Sequence, residues 1–131
     1  MNKLQSLDKI YVSQSAIQGA GRGVFAKAAF KKGELIEECP VIELSEHDPS
    51  NSPEGTLIHY FYYFGKSKER ANLALGFGSL YNHTYEPNAT YTENHKEKTM
   101  SFIALKDIEP EEEITVNYNQ SQKKDKSQLW F

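Results

Sequence analysis

The fold of this chain is decided by the stretch Ser79-Leu80-Tyr81-Asn82-His83-Thr84-Tyr85-Glu86-Pro87-Asn88. It joins apolar residues directly to two strong hydrogen-bonding side chains, Asn82 and His83. Pro87 has no backbone N–H, so the segment that leads to it ends in a turn. Asn and His can each donate and accept hydrogen bonds, which favours a polar ligand beside this segment. The alternative is a strand end in which both side chains satisfy the local backbone.

The size and charge of the chain limit what it can be. With 131 residues it is long enough for one domain with a single core. Its aromatic fraction of 12% predicts a core and a pocket built largely from Tyr and Phe. A net charge of −3 argues against direct binding of nucleic acid, which needs clustered positive charge, and is compatible with a basic partner.

The single cysteine, Cys39, excludes an intrachain disulfide and a cysteine-rich zinc cluster, and it is typical of a reducing compartment. No window of the sequence approaches the run of about 20 apolar residues that spans a membrane. The sequence therefore predicts a cytoplasmic protein without membrane contact. A nuclear or chromatin-associated location is expected instead if the source is eukaryotic or viral.

Three glycines, Gly19, Gly21 and Gly23, stand at alternate positions after a predicted first strand at residues 9–13. Glycine at every second position cannot stabilise a strand, so the backbone here either turns or approaches another group closely. The spacing G-x-G-x-G, with no helix-forming run after it, argues against a dinucleotide-binding loop. A turn without a functional role remains open at this point.

The remaining pattern is typical of a mostly β protein with many short strands and no long amphipathic helix. Strands are predicted over residues 35–44, 57–64, 89–92, 99–105 and 114–118, and the polar residues 93–98 are expected to join the third and fourth of these as a hairpin. Pro40 is expected to interrupt the first of these, which then forms one or two strands. In the aromatic run at residues 57–64, alternation would put Tyr60 and Tyr62 on one face. Phe61 and Tyr63 would then lie on the other face.

Four short segments form an ordered set along the chain. They are Gly21-Arg22-Gly23-Val24-Phe25, Asn82-His83-Thr84-Tyr85-Glu86-Pro87-Asn88, Ala104-Leu105-Lys106-Asp107-Ile108 and Glu112-Glu113-Ile114-Thr115-Val116-Asn117-Tyr118. This set resembles the signatures of the SET-domain family of protein-lysine methyltransferases, which are G-x-G, N-H-S-x-x-P-N, A-L-R-D-I and G-E-E-L-T-x-D-Y. The resemblance covers the chain from about Gly19 to Tyr118. Each motif alone is weak, and together they are specific.

The resemblance implies a fold and a domain organisation. The family fold is mostly β and β-clip-like, with several small sheets and a C-terminal pseudoknot in which the last two motifs cross. That crossing would bring Asn82 and His83 next to Tyr118. Residues 1–131 would form a single SET domain, with the core motifs at about 9–118 and a C-terminal tail at 119–131.

The resemblance also implies a cofactor, S-adenosylmethionine, and a catalytic tyrosine, Tyr118. The residues expected to bind the cofactor are Arg22, Gly23, Val24, Asn82, His83, Tyr118 and Trp130. The residues expected to line the channel for the target lysine are Tyr60, Tyr62, Tyr81, Val116 and Phe131. The expected partner is a protein or peptide that carries this lysine, such as a histone or another basic protein.

The sequence departs from the family pattern at several positions. Thr84 is followed by Tyr85 where many members have a zinc-binding cysteine, and no cysteine lies downstream, so no metal is expected. Asn117 stands where Asp usually precedes the tyrosine, and Ser79 stands where Arg is frequent. These departures match the short stand-alone SET proteins of bacteria and viruses best.

The chain ends on an apolar cluster, Leu129-Trp130-Phe131, after a polar linker. In place of the missing zinc flank, this cluster is expected to close over the cofactor and complete the lysine channel. An ordinary packed terminus is one alternative. An interface with a second copy of the chain, and hence a homodimer, is the other.

The expected reaction is transfer of a methyl group to the ε-nitrogen of lysine. Lysine has a reference pKa of about 10.4, and an aromatic channel would favour its neutral form by desolvation. No paired carboxylates are therefore needed, and the sequence has no motif that provides them. Two other functions stay open, namely a catalytically silent SET-like domain that binds peptide or cofactor, and a β-rich structural domain without a ligand.

Overall fold

The computed structural model describes residues 8–45, 47–48, 55–64 and 70–118. The strands in this part of the chain are β1 (Ile10–Gln14), β2 (Arg22–Ala26), β3 (Leu35–Leu44), β4 (Phe61–Phe64), β5 (Arg70–Ala74), β6 (Asn82–His83), β7 (Ala89–Asn94), β8 (Thr99–Ala104) and β9 (Glu113–Val116). Two short 3₁₀ helices, η1 (Leu57–Tyr60) and η2 (Gly78–Leu80), complete the elements. Within the described ranges, neither helix has the length and hydrophobicity needed to cross a membrane.

The strands form two sheets, which confirms a mostly β fold of small sheets. One sheet has the order β1-β2-β9-β6 and the other the order β4-β5-β3-β8-β7. Neighbouring strands are antiparallel except for β6 and β9, which run parallel. The predicted hairpin is confirmed, because β7 pairs with β8 from Ala89 opposite Ala104 to Asn94 opposite Thr99.

Pro40 lies inside one continuous strand, so the predicted interruption does not occur. The first half of β3 pairs with β8 and the second half with β5, and the partners change at this proline. The carbonyl of Pro40 accepts from the N–H of Leu75 at 2.9 Å, and the next N–H, of Val41, donates to Lys98 O at 2.9 Å. A residue without an N–H is tolerated here because one ladder ends and the other begins.

The aromatic run divides into a helix and a strand. Residues Leu57–Tyr60 form η1, and the extended backbone begins at Phe61. The expected alternation holds from there, since Tyr62 packs in the main core whereas Phe61 and Tyr63 make an edge contact of 6.3 Å in a second apolar cluster. The prediction that Tyr60 and Tyr62 share one strand face is wrong, because Tyr60 ends the 3₁₀ turn and is 38% exposed.

The parallel contact between β6 and β9 brings the two most distinctive sequence segments together. Asn82 lies opposite Thr115 and His83 opposite Val116. The side chain of Asn88, which is 5% exposed, continues this pairing by hydrogen-bonding to the backbone of β9. Its Oδ1 accepts from Thr115 N at 2.9 Å and its Nδ2 donates to the carbonyl of Glu113 at 2.8 Å. A carboxamide suits this position because it offers one acceptor and one donor group to a strand.

Replacing Asn88 tests whether this clamp holds β9. We expect Asn88→Ala to leave Thr115 N–H and Glu113 C=O without partners, at a cost of about 1–3 kcal/mol for each buried group. The measurement is the free energy of unfolding in urea. A matched control is Asn94→Ala, since exposed Asn94 also accepts a backbone N–H, from Glu97 at 3.0 Å. Equal, small losses in both variants would contradict the clamp.

Candidate active site

A cavity of about 500 Å³ opens where four parts of the chain meet. These parts are the loop between β1 and β2, the η1 helix, the segment from η2 to β6, and the residue pair that follows β9. The residues that line the cavity are Ile17, Gln18, Gly19, Ala20, Arg22, His59, Tyr60, Ser79, Leu80, Asn82, His83 and Tyr118. Segments that are far apart in sequence therefore share one concave surface, which is the usual shape of a small-molecule site.

The loop between β1 and β2 folds back on itself at two glycines. Gly19 and Gly21 have φ values of +79° and +75°, in the left-handed region that favours glycine. Ser15 closes the loop, because its N–H donates to Gly21 O at 2.8 Å. The hydroxyl of Ser15 also donates to Glu113 Oε1 at 2.7 Å, which ties the loop to β9. The interpretation of this glycine segment as a turn is confirmed, and the turn forms one wall of the cavity.

Gly23 is needed for close packing between side chains. A Cβ at this position would lie 2.3 Å from Glu113 Oε2 and 2.8 Å from Asn82 Nδ2. Val24, the next residue, is fully buried in the core. Neither Gly23 nor Val24 lines the cavity, so the close approach expected at this glycine is made by Asn82 and Glu113.

Asn82 joins the glycine loop to β9. Its Nδ2 donates to the carbonyl of Arg22 at 3.0 Å and to Glu113 Oε2 at 2.9 Å. Both N–H bonds of the carboxamide are thus used inside the protein. The group that Asn82 can offer to a ligand in the cavity is its oxygen, which acts as an acceptor.

The backbone N–H of Tyr118, the predicted catalytic residue, holds His83 in one tautomer. Its Nδ1 accepts from the N–H of Tyr118 at 2.9 Å, so the neutral ring carries its hydrogen on Nε2. That Nε2 is buried and has no hydrogen-bond partner among the described residues. Desolvation lowers the pKa of His83, which keeps the ring neutral near pH 7. The arrangement leaves one N–H donor beside the cavity for a ligand acceptor.

Tyr118 lies against His83 and is anchored through its hydroxyl. The phenol donates a short hydrogen bond to the carbonyl of Tyr81. Its ring centroid is 5.1 Å from that of His83 and 5.8 Å from that of Tyr62, which it meets edge to face. Burial first, and the charge of Glu113 second, raise the pKa of Tyr118. The hydroxyl therefore stays protonated near neutral pH and acts as the donor to the carbonyl of Tyr81.

The predicted channel residues occupy three kinds of position. Tyr60 lines the cavity and is 38% exposed. Tyr62, Tyr81 and Val116 are buried behind it and do not line it. The hydroxyl of Tyr62 donates to Gly78 O at 2.8 Å, and burial is the main cause of the raised pKa values of Tyr62 and Tyr81. The fifth channel candidate, Phe131, and the cofactor candidate Trp130 lie outside the described residues.

The wall of the cavity contains no Asp or Glu among the residues that the structure describes. Its histidine side chains are those of His59 and His83, and it also contains the permanently charged Arg22. The described part of the chain also holds no group of three His, Cys, Asp or Glu that fits a metal ion.

Sequence reasoning missed several residues that shape the site. It did not assign Ile17, Gln18, His59 or Leu80 to the cavity, and it gave no role to Glu113. The alternate glycines were the available signal for the first two, since they marked the loop that carries them. Glu113 gave no local signal because its partners, Ser15 and Asn82, are distant in the sequence.

Comparisons with known proteins agree with this geometry. The SET-domain family model matches residues 21–119. A Schizosaccharomyces pombe protein, histone-lysine N-methyltransferase, H3 lysine-37 specific, is 30% identical over 112 residues, which are 85% of this chain and 70% of that protein. A crystal structure of a candidate histone methyltransferase from Plasmodium falciparum superposes with a TM-score of 0.65 at 33% identity, over 86% of this chain and 99% of that chain.

A more distant structure shares the fold. It is the Polycomb Repressive Complex 2 of Chaetomium thermophilum, in an autoinhibited conformation bound to S-adenosylmethionine. The TM-score is 0.68 at 18% identity, over 86% of this chain and 15% of that chain.

The lowered pKa of His83 predicts how stability depends on pH. An unfolded histidine takes up a proton near pH 6.5, whereas folded His83 does so at a lower pH. The neutral ring therefore contributes stability above about pH 6.5, which is lost as the pH falls through the lowered folded-state pKa. We expect the free energy of unfolding in urea to fall between about pH 7.5 and about pH 5.5. In His83→Gln, which keeps an acceptor but cannot titrate, this fall should be smaller; an equal fall would contradict the assignment.

Proposed function

Because this chain belongs to the SET-domain family of protein-lysine methyltransferases, we propose that it transfers a methyl group from S-adenosylmethionine to a lysine of a basic, histone-type protein. The observation that carries the proposal is the meeting of Asn82, His83 and Tyr118 at one cavity. Each of these side chains is fixed by a hydrogen bond to a segment distant in sequence. Such preorganisation is what an enzyme needs to align two reactants.

The residues present fit the cofactor. A volume of about 500 Å³ is in the range of sites for molecules of this size. Asn82 offers an acceptor for an ammonium group, and His83 offers a buried donor for a heterocyclic nitrogen or carbonyl. Arg22 brings a permanent positive charge for a carboxylate. Gly23 supports this site indirectly, by allowing Asn82 and Glu113 to pack against β2, whereas Val24 is buried in the core.

The residues around the cavity explain how lysine becomes reactive. When bound, S-adenosylmethionine would supply an electrophilic methyl group on a sulfonium; the nitrogen of a neutral lysine amine would bond to that carbon as the carbon–sulfur bond breaks and the sulfur leaves as a neutral thioether. The cavity wall has no described carboxylate that would stabilise the ammonium form, and Tyr118 stays protonated. Transfer of the lysine from water into the cavity would therefore favour the neutral amine, and the proton would pass to water.

The substrate class is inferred from the relatives and from charge. The Schizosaccharomyces pombe relative is named for histone H3. This chain has a net charge of −3, which is compatible with a basic protein partner and argues against direct contact with nucleic acid. Assembly as a homodimer, a cytoplasmic location, and the resemblance to short bacterial and viral SET proteins stay predictions from the sequence.

Tyr118→Phe tests the catalytic assignment. We expect methyl transfer to fall by roughly 10²-fold, because the variant loses one positioned hydroxyl while its ring still packs. Tritiated-methyl transfer onto recombinant histones measures turnover, and calorimetry measures cofactor affinity. Tyr11→Phe is the matched control, since it also removes a tyrosine hydroxyl, which donates to Glu111 away from the cavity. Full turnover in Tyr118→Phe would overturn the assignment, and cofactor binding without transfer by the unaltered protein would favour a silent SET-like domain.

The tail carries a second test of the same site. We propose that Trp130 and Phe131 close the cavity against water and complete the lysine channel. Deleting residues 129–131 should then reduce transfer far more than it lowers the melting temperature. Alanine at Gln120, Ser121 and Gln122 is the control, because it alters the linker and keeps the aromatic end. Full activity in the truncated protein would show that the tail is not the lid.

A further inference from the structure

Glu37 is a buried carboxyl group that the proposed reaction does not yet use. It lies in β3 with 1% of its surface exposed. Its Oε1 accepts from the hydroxyl of Tyr81 at 2.7 Å, and its Oε2 accepts from the N–H of Phe77 at 3.0 Å. A buried carboxyl group is costly unless donors satisfy both oxygens; here each oxygen accepts one of these bonds, and the buried thiol of Cys39 is a further hydrogen-bond neighbour.

The two donors stand at the two ends of one short segment. This segment, residues 77–81, contains η2, whose Ser79 and Leu80 form part of the cavity wall. It ends at Tyr81, whose carbonyl accepts the hydroxyl of Tyr118. Glu37 thus fixes both ends of the segment 77–81, and the carbonyl at the end of this segment holds the hydroxyl of Tyr118.

Packing around the carboxyl group leaves this geometry little freedom. Gly76 adopts a φ of +64°, and a Cβ there would lie 2.6 Å from Glu37 Oε2. The turn before η2 is therefore folded tightly around the carboxyl oxygen. On the other side, the ring of Tyr81 stacks on Phe102 with a centroid distance of 4.2 Å and an interplanar angle of 18°. The hydrogen bond to Glu37 sets where that ring sits along the stack.

We propose that Glu37 is a positioning residue for methyl transfer, acting through Tyr81 to aim the hydroxyl of Tyr118. This inference rests on the proposed function, since it takes Tyr118 as the residue that contacts the reactants. A carboxylate suits the role because both partners are donors. A carboxamide offers one acceptor and one donor, so Glu37→Gln satisfies only one partner in the observed orientation.

The polar side chains proposed to bind the cofactor are held by contacts other than those of Glu37, which instead fixes the wall segment that contains Ser79 and Leu80. Asn82 is held by Arg22 O and Glu113, and none of the contacts that fix it runs through Glu37. Loss of the Glu37 contacts should therefore lower kcat and leave cofactor affinity nearly unchanged. A misplacement of one ångström or less is enough to slow a reaction that depends on alignment.

The experiment uses Tyr81→Phe and Glu37→Gln, each in the unaltered chain and in Tyr118→Phe. Tyr81→Phe removes one hydroxyl and keeps the stacked ring, so it tests the contact even if Glu37→Gln folds poorly. In the unaltered chain we expect kcat to fall about tenfold with the cofactor Kd within about twofold. In Tyr118→Phe, where no hydroxyl remains to be aimed, the same changes should have little further effect. Tyr11→Phe, which loses a Tyr–Glu contact elsewhere, should keep full kcat.

A second readout does not need activity. In protein labelled with carbon-13 at the tyrosine ring carbon that bears the hydroxyl, the Tyr118 resonance is assigned by its loss in Tyr118→Phe. It should shift in Tyr81→Phe and Glu37→Gln and stay in place in Tyr11→Phe. An unmoved resonance, an unchanged kcat, or an equal proportional loss in both backgrounds would overturn the positioning role. Failure of the proposed function is distinct, because it appears as no methyl transfer by the unaltered protein or as full turnover in Tyr118→Phe.

Discussion

The hydrogen bonds of Glu113 are the contacts on which the site depends most. One oxygen of this carboxylate accepts from Ser15 in the glycine loop, and the other accepts from Asn82 in β6. Because Glu113 itself begins β9, three segments distant in sequence meet at one side chain. The same carboxylate explains Gly23, where any Cβ would collide with it. Removing it would leave the hydroxyl of Ser15 and one N–H of Asn82 without these partners, and the bond from Asn82 to Arg22 O would remain as the link from the end of the loop to β6.

The local pattern of the sequence was enough to predict the mostly β fold, the hairpin of β7 and β8, and the turn at the alternate glycines. The resemblance to the SET family added the meeting of Asn82 and His83 with Tyr118. All of these depend on residues close in sequence or on motifs with a known order. The local structure at Pro40 and at Tyr60 was harder to predict. The strand continues through Pro40 because its pairing partner changes there, and Tyr60 ends a 3₁₀ turn, which has no periodic sequence pattern.

The parts that the sequence did not predict are mainly long-range polar contacts. In the sequence, Glu37 is one of several acidic residues in a predicted strand, and Glu113 is the last of the three consecutive glutamates at 111–113. Their partners, Tyr81 for the first and Ser15 for the second, are set by sheet order, which no local window contains. Burial of a charged side chain is costly unless it is paired or hydrogen-bonded, so such contacts become visible only when the fold is known.

The placement of these two carboxyl groups has a chemical consequence. Both lie behind the cavity wall, where backbone and side-chain donors satisfy their oxygens, and neither lines the cavity. A carboxylate inside the cavity would attract an ammonium group and raise the pKa of a bound lysine, which would reduce the neutral amine that reacts. Set behind the wall, the two carboxyl groups hold the strands and Tyr81 in place, and the charge of Glu113 helps to keep the phenol of Tyr118 protonated. The fold therefore uses negative charge for position while the described cavity wall stays free of carboxylates.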